Sequence, residues 1–308
     1  MSRVAVWSLY ALLVVIWSST WVAIKVGLED IPPLLGAGVR FAAAGAGLLA
    51  FARLAGREMR TDWLLAAILG ALPFAAAYGL IYWGEQYVPS GMAAVLFGIM
   101  PLYSALLASV ALHDEPLHAR LVIGVAIAIG GLVVAFSESV ALGDAELAVW
   151  GAAACVLAPV ASAIGNVSIK RRAGALDAIV LNGWAMLGGG IALLVVSAPT
   201  EDWGGAAWTA QALGATTYLA VAGSAFAFVV LTLLLRELPA VTMSFIALLL
   251  PFGALAFGAL IYAEAITLPA LGGAALVALG LLVAQRRRAD SRPDRRYTPL
   301  PRRSSSVG

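Results

Sequence analysis

The side chains that could do chemistry are few, and most lie inside long apolar runs. Trp17, Trp21 and Lys25 are spaced by four, so a helix puts them on one face. Tyr78, Tyr82 and Glu85 form a second stripe of that kind, and Ser162, Asn166 and Lys170 a third. Ser18 stands beside Trp17, Ser224 near the middle of a later run, and Phe97 and Phe245 just before prolines. Polar groups in such runs rarely face lipid. They are therefore candidates to line a cavity, in which aromatic rings hold an apolar body or a cation and hydroxyl or amide groups fix a polar head. An interfacial aromatic belt is the competing reading. It fits Trp7, Trp63, Trp83 and Tyr262 near run ends better than the deeper Trp17 and Tyr78. Lys25, Arg40 and Glu85 fall toward one end of their runs. They form either a vestibule of mixed sign, suited to a zwitterion, or a set that pairs internally to hold the first three runs together.

Prolines mark where the backbone of these runs is interrupted. Pro73, Pro101, Pro159 and Pro251 lie well inside apolar segments. Each removes one helical hydrogen bond and frees the carbonyl four residues earlier, at Leu69, Phe97, Cys155 and Ala247. In hydrocarbon a freed carbonyl must find a partner or face a cavity. Packing kinks satisfied by neighbours remain an alternative for each. Pro101 and Pro251 are the candidate hinges.

Several chemistries have no residues to carry them. No nucleophile stands at a useful spacing from a base, and no phosphate-binding loop exists, so no catalytic residue is assigned and ATP-driven pumping by this chain alone is excluded. Cys155 is the single cysteine, and His113 and His118 share one short connection. No metal site and no cofactor is expected. Glu115 and Glu264 sit at run ends, where capping a helix explains them. No acid falls at the middle of a run, so proton coupling lacks its usual residue.

The elements positioning these residues follow from composition. Of 308 residues, 62% are hydrophobic and only 12% charged, and mean hydropathy is +0.95. Such a surface suits lipid, not water. A helix needs about 20 apolar residues to cross about 30 Å of hydrocarbon. Continuous runs predict ten membrane-spanning helices near 4–27, 33–54, 63–84, 90–112, 118–137, 147–170, 178–198, 212–235, 240–262 and 267–286. The first run is read as a retained span, not a cleaved signal. Alternate connections hold Arg3, Arg53, Arg57, Arg60, Arg120, Lys170, Arg171, Arg172 and Arg236, while the others hold acids only, from Glu29 and Asp30 to Glu201 and Asp202. The positive-inside rule then places both termini in the cytoplasm and the chain in the cell's inner membrane. Residues 289–308, rich in Arg, Ser and Pro, are expected to be a disordered basic cytoplasmic tail.

The chain also resembles itself. Pro89 and Pro101 are twelve positions apart, as are Pro239 and Pro251. Asp114-Glu115 corresponds to Ala263-Glu264 with one residue of slippage, and Gly131-Leu132-Val133 to Gly280-Leu281-Leu282. The loosest match, Lys25 with Lys170, also aligns Trp17 with Ser162 and Trp21 with Asn166. The expected organisation is a five-helix repeat over 1–138 and a second over 146–288. Because five is odd, the second is inverted in the membrane, a design that serves alternating access to a site between the halves.

Trp17-Ser18-Ser19-Thr20-Trp21 leading to Lys25, followed by Pro32-Pro33 and Arg40-Phe41, resembles the opening of the drug/metabolite transporter superfamily, in its EamA-type ten-helix exporter branch. The stretches ending in Pro101 and Glu115, and in Pro251 and Glu264, resemble that branch's fourth and ninth spans. The resemblance implies an all-α polytopic protein with two inverted repeats, and a central cavity lined by spans 1, 3, 4, 6, 8 and 9. It also implies export or exchange of small metabolites such as amino acids. Export of lipophilic or cationic drugs is the alternative, ahead of a membrane-embedded enzyme or a channel. The expected partners are a small-molecule substrate and the bilayer; no nucleic acid is expected, and a homodimer is left open.

Overall fold

The computed structural model describes residues 1–88, 90–112, 118–135, 145–174, 176–262 and 268–285. His113, Glu115, Glu264 and the tail 289–308 lie outside the described residues. Everything regular among those described is helical. Helices α1 (Arg3–Leu28) and α2 (Pro33–Leu54) are unbroken. The next segment runs from α3 (Trp63–Leu69) through a π-helical stretch, Gly70–Ala77, into α4 (Tyr78–Gly84). After it come α5 (Ser90–Phe97), α6 (Met100–Ala111), α7 (Ala119–Ala135), α8 (Ala145–Arg172) and α9 (Ala178–Thr200). A second π-helical stretch, Val221–Phe226, joins α10 (Ala210–Ala220) to α11 (Ala227–Glu237). The chain closes with α12 (Ala240–Ser244), α13 (Ile246–Tyr262) and α14 (Leu268–Gln285).

Seven of these segments are long and apolar enough to cross a membrane, and three shorter apolar helices occupy 119–131, 240–253 and 271–284. Large apolar side chains are bare on the outside: Val4, Leu54, Val110 and Leu268 are each 78–88% exposed. A water-facing surface does not carry such a coat; a lipid-facing one does.

Two close helix pairs frame the bundle, α2 with α9 and α7 with α14. Glycine permits both. A Cβ at Gly45 would stand 2.7 Å from the Gly183 carbonyl oxygen, and one at Gly190 would stand 2.8 Å from that of Gly38. In the other pair Gly124 faces Gly280 and Gly131 faces Gly273. Both pairs are therefore antiparallel and in backbone contact, the usual way helices associate without a hydrophobic driving force between them.

The ends of the bundle are tied differently. At one end Arg172 grips Asp62 (Nη2 2.8 Å, Nε 3.0 Å), Arg57 bonds Asp177 at 2.6 Å and the N-terminal ammonium meets Glu237 at 3.3 Å. At the other, Glu201 accepts from the Leu34 and Leu35 N–H groups at 2.8 Å each, capping α2, and Asp30 accepts from Thr209. The Leu65 N–H and then Arg172 hold the Asp62 carboxyl below its usual range. Partial desolvation pushes Asp177 up, but Arg57 and the Val180 and Ile179 N–H groups outweigh it, and the net direction is down.

Two outcomes follow. Gly131→Leu should lower thermal stability by about 1–3 kcal/mol or prevent folding, whereas Gly47→Ala, with no atom within 4 Å of the added carbon, should leave the melting temperature unchanged or raise it slightly. Because Asp62 titrates below its ordinary value, its contribution exists above pH ~4 and fades as pH falls through the folded value. Asp62→Asn should flatten the acid limb of a melting-temperature profile in detergent, and should do so most below about pH 4.

Candidate functional site

The central cavity measures about 80 Å³. Its walls come from α1 (Trp17, Thr20, Trp21, Ile24), the first broken segment (Pro73, Tyr78, Ile81), α5 and α6 (Phe97, Met100), α8 (Ser162, Asn166), α11 (Phe228, Leu231) and α12–α13 (Met243, Ile246, Ala247, Leu250). These are the segments at the expected spans 1, 3, 4, 6, 8 and 9.

Two of the interruptions have a local cause. Pro73 cannot donate to Leu69, and the wide turn of Gly70–Ala77 absorbs it. α8 presses on that turn at Gly165, where a Cβ would stand 2.8 Å from Pro73 Cγ. The helix of α5 stops at Phe97 and restarts at Met100, with Pro101 in the first turn of α6, where no N–H is required. α12 stops at Ser244 and α13 begins at Ile246, whereas Pro251 lies inside α13 and does not coincide with that break. Phe97 and Ala247, the residues whose carbonyls Pro101 and Pro251 free, both border the cavity.

Aromatic rings make most of the wall. Trp17 packs on Phe228 at 5.3 Å between centroids and Trp21 on Phe97 at 6.0 Å, while Tyr78 lies 6.1 Å from Phe228. Trp17 Nε1 donates to the Gly223 carbonyl at 3.1 Å, which fixes that ring. Ser162 and Asn166 make no hydrogen bond among the described residues, so their hydroxyl and amide are available to a guest.

Behind this wall lies Arg40, wholly buried. Its Nε donates to Ser224 Oγ at 2.8 Å, Nη1 to Tyr82 Oη at 3.2 Å and Nη2 to the Gly223 carbonyl at 3.4 Å. The guanidinium stacks on Phe41 at 5.0 Å and on Tyr78 at 4.8 Å. One carbonyl, Gly223, thus serves both Arg40 and Trp17.

Six of the ten residues singled out as substrate contacts border the cavity: Trp17, Trp21, Tyr78, Phe97, Ser162 and Asn166. The other four lie elsewhere. Ser18 is buried against Gly253, where α1 meets α13. Tyr82 and Ser224 hold Arg40. Phe245 packs into a second apolar core with Val95, Leu121 and Val277. The three charges expected near one end do not share an environment: Lys25 is exposed, whereas Arg40 and Glu85 are buried. Phe228 escaped notice, though it follows Ser224 by four, a helical spacing that would have found it. Thr20 and the aliphatic lining carry no signal that separates them from other core residues.

This cavity sits in a chain whose sequence matches the EamA-like transporter family twice, over residues 5–137 and 149–285. The chain belongs to the EamA-like transporter family. The transporter YoaV of Bacillus subtilis, uncharacterized, is 30% identical over 87% of this chain and 92% of its own length. The uncharacterized inner membrane transporter YedA of Escherichia coli is 32% identical over 76% of this chain and 75% of its own. A Streptantibioticus cattleyicolor protein named "Probable terminal-alkyne amino-acid exporter" is 32% identical over 73% of this chain and 74% of its own. One crystal structure, 19% identical, shares the fold with a TM-score of 0.77 over 92% of this chain and 97% of that chain. This EamA-like protein is a membrane transporter and not an enzyme.

The Arg40 cluster gives a direct check. Tyr82→Phe and Ser224→Ala each remove one neutral partner from a buried cation, and each should lower stability by about 1.5–3 kcal/mol. Thermal unfolding in detergent measures it, with Val15→Ala on the exposed face of α1 as the unaffected control.

Proposed function

We propose that the protein is a secondary transporter that exports or exchanges small amphipathic metabolites, amino acids or related polar compounds first among them. The observation that carries this reading is the pairing of an aromatic wall with the unengaged Ser162 hydroxyl and Asn166 amide in one buried cavity. The rings suit an apolar side chain, and the polar groups on α8 suit a head group. The exporter name borne by the Streptantibioticus relative supports the same substrate class.

Transport proceeds by alternating access between two inverted five-helix units, 1–138 and 146–288, in a ten-span chain. Support comes from three placements. The two π-helical stretches lie about 150 residues apart, the offset that aligns Pro89 with Pro239 and Pro101 with Pro251. The two framing pairs join one unit to the other. Within α7–α14 the contact of Gly124 with Gly280 is repeated by that of Gly131 with Gly273, and the alignment that equates Gly131 with Gly280 also equates Gly124 with Gly273, as a two-fold axis in the membrane plane requires. Pro101 and Pro251 act as hinges beside the cavity. Lys25 and Glu85 serve the outward route. Arg57, Lys170, Arg172 and Arg236 gather at one end of the bundle, which supports a cytoplasmic placement for that end and for both termini, with 289–308 as a basic cytoplasmic anchor. A lipophilic cation is the second reading, favoured by the Trp17, Trp21, Phe97 and Phe228 rings.

Proteoliposomes preloaded with a mixed amino-acid pool test the main reading. Saturable counterflow should appear, and Tyr78→Ala or Asn166→Ala should cut it about tenfold, the equivalent of about 1.4 kcal/mol. Absence of counterflow for every amino acid, with or without a pH gradient, would overturn the substrate class.

A further inference from the structure

We infer that Arg40 sets the charge selectivity of the cavity: it admits a carboxylate-bearing or zwitterionic guest and excludes a cation. The inference rests on the reading of the cavity as the transport site.

Every group that Arg40 bonds or stacks on is neutral: two hydroxyls, one carbonyl and two aromatic faces. An arginine remains charged in any protein environment. Among the described residues no carboxylate reaches ion-pair distance of it. Dipoles solvate a charge locally but leave its field standing, and in apolar surroundings that field falls off slowly. Buried arginines in membrane segments pair with an opposite charge or with backbone carbonyls; the described partners of Arg40 are of the neutral kind, so an opposite charge is one a guest can bring.

The field reaches the cavity through the wall. Tyr78 borders the cavity and also carries the guanidinium 4.8 Å from its ring centre. Trp17, another wall residue, shares the Gly223 carbonyl with Arg40. Glu85, a buried acid three residues beyond Tyr82, is not among the residues that line the cavity and, among the described residues, makes no ion pair with Arg40. Arg40, in contrast, touches a wall residue directly, through the ring of Tyr78.

This has a consequence for the aromatic lining. Rings attract cations through their faces, and by composition alone the cavity would pass for a cation box. Tyr78 already presents a face to Arg40, so a second cation beside it meets repulsion from the first. An anion, or the carboxylate end of a zwitterion, meets attraction at the same spot. The Asn166 amide and Ser162 hydroxyl on the α8 wall are left to receive an ammonium or another polar group.

Three near-isosteric probes separate the cases: leucine, 4-methylpentanoate, which lacks the ammonium, and 3-methylbutylamine, which lacks the carboxylate. Their binding to purified wild-type protein is read by quenching of intrinsic tryptophan fluorescence, since Trp17 and Trp21 border the cavity, and by competition against one another. The expected result is that 4-methylpentanoate and leucine bind at least tenfold more tightly than 3-methylbutylamine. Arg40→Lys should keep the order, and Arg40→Gln should erase or reverse it. Equal or tighter binding of the amine by wild type overturns the inference without any variant, so a misfolded Arg40→Gln does not shelter it. An unchanged order in folded Arg40→Gln overturns it as well. Tyr78→Ala separates the two levels of the argument. If the probes bind wild type but Tyr78→Ala leaves their affinity unchanged, the cavity is not their site, and the transport-site reading fails together with the inference. If Tyr78→Ala weakens them while the amine competes equally, the site stands and the charge selectivity alone fails.

Discussion

A backbone group inside hydrocarbon has no water to bond, so any break in a helix must be answered by another part of the protein. That constraint orders this structure. The unbroken helices α1, α2, α8 and α9 carry the span of the bundle. The departures from α-helical geometry fall in segments that border the cavity: Gly70–Ala77, Gly98–Ile99, Val221–Phe226 and Phe245. At Val221–Phe226 the answer is explicit, since the Gly223 carbonyl accepts from Trp17 and from Arg40. The break thus supplies the acceptor that orients part of the cavity wall.

Arg40 ties the rest together. From α2 it reaches α4 through Tyr82 and the second π-helical stretch through Ser224 and Gly223. It fixes those three elements relative to one another behind the aromatic wall. Burying a cation is costly, and here the cost is offset by hydrogen bonds and ring faces, without a carboxylate among the described residues. The framing pairs hold the periphery by different physics, with glycine backbones in direct contact and little polar help.

Much of the site was legible in the sequence because helical spacing is a local property. Trp17 and Trp21 had to share a face, and so did Ser162 and Asn166; both stripes border the same cavity. The place of Arg40 was not legible. Counting along α2 sets it eight residues past Pro32, near enough to the end to be taken for a vestibule residue. Its partners Tyr82 and Ser224 are 42 and 184 positions away, and no spacing rule links them. The π-helical stretches were half legible: Pro73 announced a disturbance in the first, but the second contains no proline, and the partners of its Gly223 and Ser224 are far away in the sequence. Ser18 and Phe245 show the reverse limit. Each lies in an apolar span of the right kind, yet one fills the crossing of α1 with α13 and the other a separate core.

The reciprocal glycine contacts carry an evolutionary consequence. Because Gly124 rests on Gly280 and Gly131 on Gly273, the tolerance of each position for a new side chain is set by its opposite number, about 150 residues away in the chain. A larger residue can be accepted on one helix only after space has opened on the other. The two segments are thus constrained to change together at these positions, while the exposed apolar residues around them are free to diverge.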